Sequence, residues 1–137
     1  MIASLPEEVA LRTETDIVVV RKAVREAAIK LGFGITDVTR IITAASELAR
    51  NVFLYAGSGV VRYRVLNGCE RVGIELIVED HGPGIADIDQ AMQPGYTTGN
   101  GLGLGLPGAK RLMDEMEIES EAGKGTTITV KKWRKGT

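Results

Sequence analysis

Residues 80–112 read DHGPGIADIDQAMQPGYTTGNGLGLGLPGAKRL, and the parsing of this stretch decides how the rest of the 137-residue chain is arranged. It joins two glycine clusters. Upstream, Gly73-Ile74-Glu75-Leu76-Ile77-Val78-Glu79 is an apolar run that delivers Asp80 to the end of a predicted strand, where Gly82, Pro83 and Gly84 turn the backbone tightly. A carboxylate is thereby held at the mouth of a pocket. Downstream, six glycines fall between Gly95 and Gly108 and lead into a helical pattern, Ala109-Lys110-Arg111-Leu112-Met113-Asp114. Glycine-rich backbone that opens a helix presents N–H groups and a positive dipole end, the combination that binds phosphate.

Each cluster alone is weak. Gly82 and Gly84 are equally at home in an ordinary turn, and the longer run in a flexible loop. The chain lacks the Gly-Lys-Ser/Thr ending of a P-loop. A dinucleotide fold also fails on Gly99-Asn100-Gly101-Leu102-Gly103, because no strand directly precedes it and the acidic residue lies upstream.

Bulk properties narrow the class. A chain of 137 residues suits one domain spanning 1–137, large enough to bury roughly two-thirds of its unfolded surface. The net charge of −1 and the absence of basic blocks interleaved with aromatics exclude an evident nucleic-acid surface. The basic end, Lys131-Lys132-Trp133-Arg134-Lys135, reads as a solvated strand terminus. No apolar run approaches a membrane span and no signal-peptide pattern is present, so a soluble, cytoplasmic protein is expected. Cys69 is the single cysteine and His81 the single histidine, so neither a His/Cys zinc site nor a Cys-His nucleophile pair assembles easily. Cys69, in a predicted turn, reads as inert.

In chain order, residues 7–14 alternate weakly as an edge strand. Asp16 can cap a helix over 17–31, in which Val20, Ala23, Val24, Ala27, Ala28 and Leu31 recur at three and four; Val18-Val19-Val20 is a competing strand signal. A second helix runs from Thr36 to about Tyr55. Its stripe of Ile41, Ala45, Leu48 and Val52 should pack on the core, while Glu47 and Asn51, four apart, share nearly the opposite side with Arg40 and Thr43. A solvated polar face is the ordinary reading of that pair, and Asn51, a poor helix former in mid-helix, is what argues for a specific role. Residues 60–66 and 72–78 form a predicted antiparallel hairpin with one wet face, and residues 117–121 and 126–133 two further strands around Gly123-Lys124-Gly125. Helices on one face of a largely antiparallel sheet make a two-layer α+β sandwich.

Four pieces thus stand in one order: Glu47-Leu48-Ala49-Arg50-Asn51 on a helix, Asp80-His81-Gly82-Pro83-Gly84 after a strand, Gly101-Leu102-Gly103-Leu104-Gly105-Leu106 before a helix, and Gly123-Lys124-Gly125-Thr126 before the last strand. Together they resemble the GHKL ATPase superfamily over nearly the whole chain. Within it, ITAASELARNVFLYAG, VEDHGPGI, LPGAKRLMDE and AGKGT are similar to the bacterial switch-protein serine/threonine kinases, the anti-sigma-factor kinase family. The resemblance implies the Bergerat fold, with a mixed, mostly antiparallel sheet, and a site for ATP and Mg²⁺. It implies that Asn51 coordinates the metal, Glu47 polarises the attacking hydroxyl, and Asp80 accepts a hydrogen bond from the adenine amino group with Thr126 beside it through water. Gly82 and Gly84 would let the chain pass close to the base, and Gly101, Gly103 and Gly105 would belong to the lid and helix start that hold the phosphates. The lid of related kinases carries an arginine near the γ-phosphate that Thr97-Thr98-Gly99-Asn100 does not supply; Lys110 or Arg111 is the substitute on offer.

The function so implied is Mg-ATP-dependent phosphorylation of Ser or Thr on a small STAS-domain anti-sigma-factor antagonist in a stress-responsive partner-switching pathway, with activation of a PP2C-type phosphatase by binding, from a monomer or homodimer. Two other readings remain open at this point: a nucleotide-controlled binding module without phosphotransfer, and a detached histidine-kinase catalytic domain. His81 lies inside the nucleotide turn rather than on a separate helix, which sets it apart from a phospho-acceptor. The loop from Gln93 to Gly103 is expected to close over the nucleotide as a lid.

Overall fold

A computed structural model describes residues 2–3, 6–68, 70–85, 92 and 105–134. Cys69, Gly101, Gly103 and the whole Gln93–Gly103 lid expectation lie outside the described residues. Among the described residues nine elements follow in order: β1 (Ile2–Ala3), β2 (Glu7–Leu11), α1 (Asp16–Lys30), α2 (Ile35–Tyr55), β3 (Gly59–Asn67), β4 (Val72–Asp80), α3 (Gly105–Leu112), β5 (Glu115–Glu121) and β6 (Gly125–Trp133).

The strands form one sheet ordered β1-β3-β4-β6-β5, with β2 also pairing β3. Every strand pair among the described residues is antiparallel, so the parallel component of the expected mixed sheet does not occur there. Alternation sets the two faces. Val61 on β3, Leu76 and Val78 on β4, and Ile128 and Val130 on β6 turn inward and are buried. On β5, Met116, Ile118 and Ser120 are half-buried, while Glu115, Glu117, Glu119 and Glu121 alternate with them and are exposed along the sheet's edge.

The helices form the second layer. In α1, Val20, Val24 and Ala28 recur every four residues and are fully buried, whereas Val18 and Val19 face solvent, which resolves the competing strand signal in favour of helix. Asp16 does not cap α1 as expected. Its Oδ2 looks backward and accepts from the Arg12 and Thr13 N–H groups at 2.8 and 3.0 Å, because the backbone turns before the helix rather than at it.

α2 is the central helix and packs against α1, α3, β3 and β4. Its C-terminus closes on Val52, whose carbonyl accepts from Ala56 and Gly57. The expected stripe of Ile41, Ala45, Leu48 and Val52 is buried, and so are Ala44, Glu47 and Ala49. The polar flank is therefore no solvated face: a helix covered by the sheet and by two other helices has little exposed arc left.

The expected solvated terminus at residues 131–135 is corrected at Lys132 and Trp133, while Lys131 is half-buried, Arg134 is exposed and Lys135 is outside the described residues. β6 keeps its inward alternation through Lys132, so that side chain enters the helix layer and is 5 % exposed. Trp133 is buried as well, its ring NH bonded to Glu115 at 2.5 Å and covered by the Arg71 guanidinium 3.7 Å from the centroid.

Candidate active site

The site grows from one transverse row across the sheet. Gly59 on β3 stands opposite Asp80 on β4, Asp80 opposite Thr126 on β6, and Thr126 opposite Ser120 on β5. Asp80 shares the inward parity of Val78 and Leu76, and Thr126 that of Ile128 and Val130, so the two side chains lie on the helix-facing side at the end of the sheet. Asp80, Ser120, Gly125 and Thr126 line one cleft.

Asp80 is half-buried, and its Oδ1 accepts from the Gly82 N–H at 2.9 Å. That bond uses one oxygen and fixes the other. Ser120, which the sequence reading missed, makes three contacts: it accepts from the Ile85 N–H at 2.7 Å, reaches the Gly125 carbonyl at 3.2 Å and meets Thr126 Oγ1 at 2.8 Å. A hydroxyl has one proton and two accepting positions. All three contacts are hydrogen bonds only if Ser120 donates to Gly125 and accepts from Thr126, which leaves the Thr126 oxygen with lone pairs to offer the cleft.

The glycines serve close chain approach. A Cβ on Gly84, at φ +79°, would stand 2.5 Å from the Glu121 carbonyl, and one on Gly82 2.6 Å from the Ala56 Cβ. The turn after Asp80 is thus wedged between the end of α2 and the β5–β6 connection. Gly125, at φ +117°, has no room for a Cβ beside the Asp80 carbonyl. Its place in a Gly-Lys-Gly-Thr turn was the available signal.

α2 supplies the other side. Glu47 is 5 % exposed, and its Oε1 accepts from Arg50 at 3.3 Å. Asn51, one turn on, is half-buried, and its amide makes no hydrogen bond to a described residue. A half-buried side-chain oxygen with no partner among the described residues suits a hard cation that keeps waters and phosphate oxygens as its remaining ligands, so Asn51 fits Mg²⁺ as a single protein ligand. No group of three or more His, Cys, Asp or Glu among the described residues forms a metal cluster.

Gly105 opens α3 four residues earlier than the expected start at Ala109, with Pro107 in its first turn and Leu106, Pro107, Gly108 and Ala109 buried. The burial of that first turn, including the glycine, is what makes helix of a stretch whose composition suggests loop. The earlier start moves Lys110 and Arg111 into the last turn, exposed, roughly 8 Å along the axis from Gly105. They thus stand at the end of α3 away from Gly105. His81 follows Asp80 and is strongly exposed, 3.8 Å from Glu79.

No helix among the described residues is long and apolar enough to cross a membrane. The family model for histidine kinase-, DNA gyrase B- and HSP90-like ATPases matches residues 36–136. Serine/threonine-protein kinase RsbT of Bacillus subtilis (strain 168) is 50% identical over 125 residues, covering 91% of this chain and 94% of that protein. An anti-sigma F factor of Caldanaerobacter subterraneus subsp. tengcongensis is 34% identical over 119 residues, 82% of each chain. The crystal structure of the RsbU and RsbW domains of a Mycobacterium tuberculosis protein matches with a TM-score of 0.63 at 26% identity, covering 96% of this chain and 33% of that one.

Proposed function

The chain belongs to the histidine kinase-, DNA gyrase B- and HSP90-like ATPase family, as a serine/threonine-protein kinase of the partner-switching kind, and from that premise we propose how its residues divide the work. Asp80 and Thr126 hold the adenine edge, Asp80 by accepting from the amino group and Thr126 through a water. The N-terminus of α3 at Gly105, with Gly101 and Gly103 ahead of it, holds the phosphates through backbone N–H groups. Asn51 holds Mg²⁺, which when bound neutralises charge on the phosphate oxygens.

Glu47 takes the proton from a seryl or threonyl hydroxyl as that oxygen bonds to the γ-phosphorus and the bond to the β-phosphate oxygen breaks, releasing ADP. The observation that carries this reading is the burial of Glu47 one turn before Asn51, whose amide has no hydrogen bond to a described residue, on a helix packed against both β4 and α3. A carboxylate is seldom buried there without a task.

The acceptor is a small STAS-domain anti-sigma-factor antagonist. By its likeness to RsbT, the protein would also bind and activate a PP2C-type phosphatase. The decisive experiment incubates the protein with radiolabelled ATP, Mg²⁺ and a STAS-domain partner and then challenges the product with acid and alkali. Acid-stable, alkali-labile label on the partner is expected. Acid-labile label would assign a histidine kinase, and nucleotide-dependent association without label would assign a switch module.

A further inference from the structure

Lys132 is buried six residues along β6 from Thr126, the partner of Asp80, and three acceptors converge on its ammonium. Nζ donates to the carbonyl of Leu112, the last residue of α3, at 2.9 Å; it lies 3.5 Å from Asp114 Oδ1, just past α3, and 3.8 Å from Asp37 Oδ1 in the first turn of α2. Resting on the site assignment above, we propose that Lys132 is a positioning residue for the phosphate end of the active site, acting through α3 and α2.

A buried ammonium is tolerated only when its protons are matched by acceptors, and here the acceptors come from the two helices that carry the phosphate machinery. Leu112 terminates the helix that Gly105 begins. A cation on its C-terminal carbonyl satisfies an orphan acceptor, complements the dipole and fixes the helix along its axis. Asp37, whose Oδ1 also accepts from Arg40 at 3.1 Å, lies in the first turn of the helix that carries Glu47 and Asn51, so the same ammonium ties the start of α2 to the end of α3.

β6 makes this a ruler. Thr126 and Lys132 lie on one strand with the same inward parity, six residues and about 20 Å apart. One end of β6 lines the adenine cleft, and the other end holds both helices. The separation between the base-binding row and the phosphate-binding helix start is thus referred to a single rigid strand. α3 has only eight residues, roughly two turns, so a shift at Leu112 is carried to Gly105 with little bending to absorb it.

Lys132→Met keeps much of the volume and removes the ammonium. The test compares the affinities of Mg-ATP and AMP by calorimetry in the parent protein and the variant. AMP engages the base row without the outer phosphates. The expected result is an unchanged AMP affinity and a fall in the ATP-to-AMP affinity ratio of about threefold to tenfold. A variant that melts earlier but keeps the parental ratio has lost only a structural contact, and the proposal is then wrong; equal weakening of both nucleotides overturns it too.

If Lys132→Met does not fold, Asp37→Asn carries the test. It loosens the tie to α2 without touching the Leu112 bond, and a smaller fall of the same ratio is expected, with an unchanged ratio again decisive against. A parent protein that binds neither nucleotide removes the site assignment itself, a failure seen before any variant is compared.

Discussion

Arg50 stands one turn beyond Glu47 on α2, its guanidinium 3.3 Å from a carboxylate whose side chain is 6 % exposed while the arginine is 41 % exposed. Arg50 engages Oε1, and Oε2 is left to receive a proton. Glu47→Gln preserves volume and one acceptor but cannot take that proton. Near-parental ATP affinity with phosphorylation of the partner slowed about 100-fold is expected, the lower end of general-base effects, because a metaphosphate-like transition state asks little of a base. Transfer at the parental rate would return Glu47 to a packing role.

Asp80→Asn separates the turn from the ligand. An asparagine oxygen can still accept from the Gly82 N–H, the bond seen at 2.9 Å, so the fold should persist. The second oxygen becomes a donor that faces the adenine amino group. ATP binding should weaken by about 1.5–3 kcal/mol, the usual worth of a hydrogen bond to a charged group. Calorimetry showing undiminished affinity, with a parental melting curve, would reject the adenine assignment.

Ser120→Ala removes the hub joining Ile85, Gly125 and Thr126. It leaves an N–H and a carbonyl without their partner, which costs about 1–3 kcal/mol in stability. Denaturant unfolding reads this directly, and a midpoint within error of the parent would show that water replaces the hydroxyl.

Asp16 gives the protein a pH signature. The N–H of Thr13 first, and that of Arg12 with it, hold its carboxyl below the ordinary 3.8. A depressed folded-state value stabilises the fold above pH 3.8, and that contribution is lost as the pH falls below 3.8 through the folded value. Asp16→Asn should therefore be less stable than the parent at neutral pH and show a shallower decline on acidification. Parallel acid-unfolding curves for the two proteins would contradict this origin of the shift.

What could be read without coordinates follows from how local each signal is. The β3–β4 hairpin is written in two alternating runs, and α2 in a stripe at three and four, so both were legible to within two residues. The position of Asp80 at the end of β4, before the Gly82–Gly84 turn, was legible because an apolar run stops there at a glycine cluster. Glu47 was legible as a residue type but not as buried, since the helices that cover its flank come from elsewhere in the chain. Lys132 and Ser120 were invisible for the same reason: their partners lie 20 and 35 residues away in Leu112 and Ile85. The start of α3 was misplaced because its glycines look like loop until packing against α2 is known.

The four glutamates of β5 bear on what happens outside the active site. An outermost strand leaves a row of backbone donors and acceptors open to another molecule, the usual seed of edge-to-edge stacking. Carboxylates at every second position make two such edges repel at neutral pH. Salt screens that repulsion, so high ionic strength should convert this border from a barrier into an adhesive strip while the core strands are still paired.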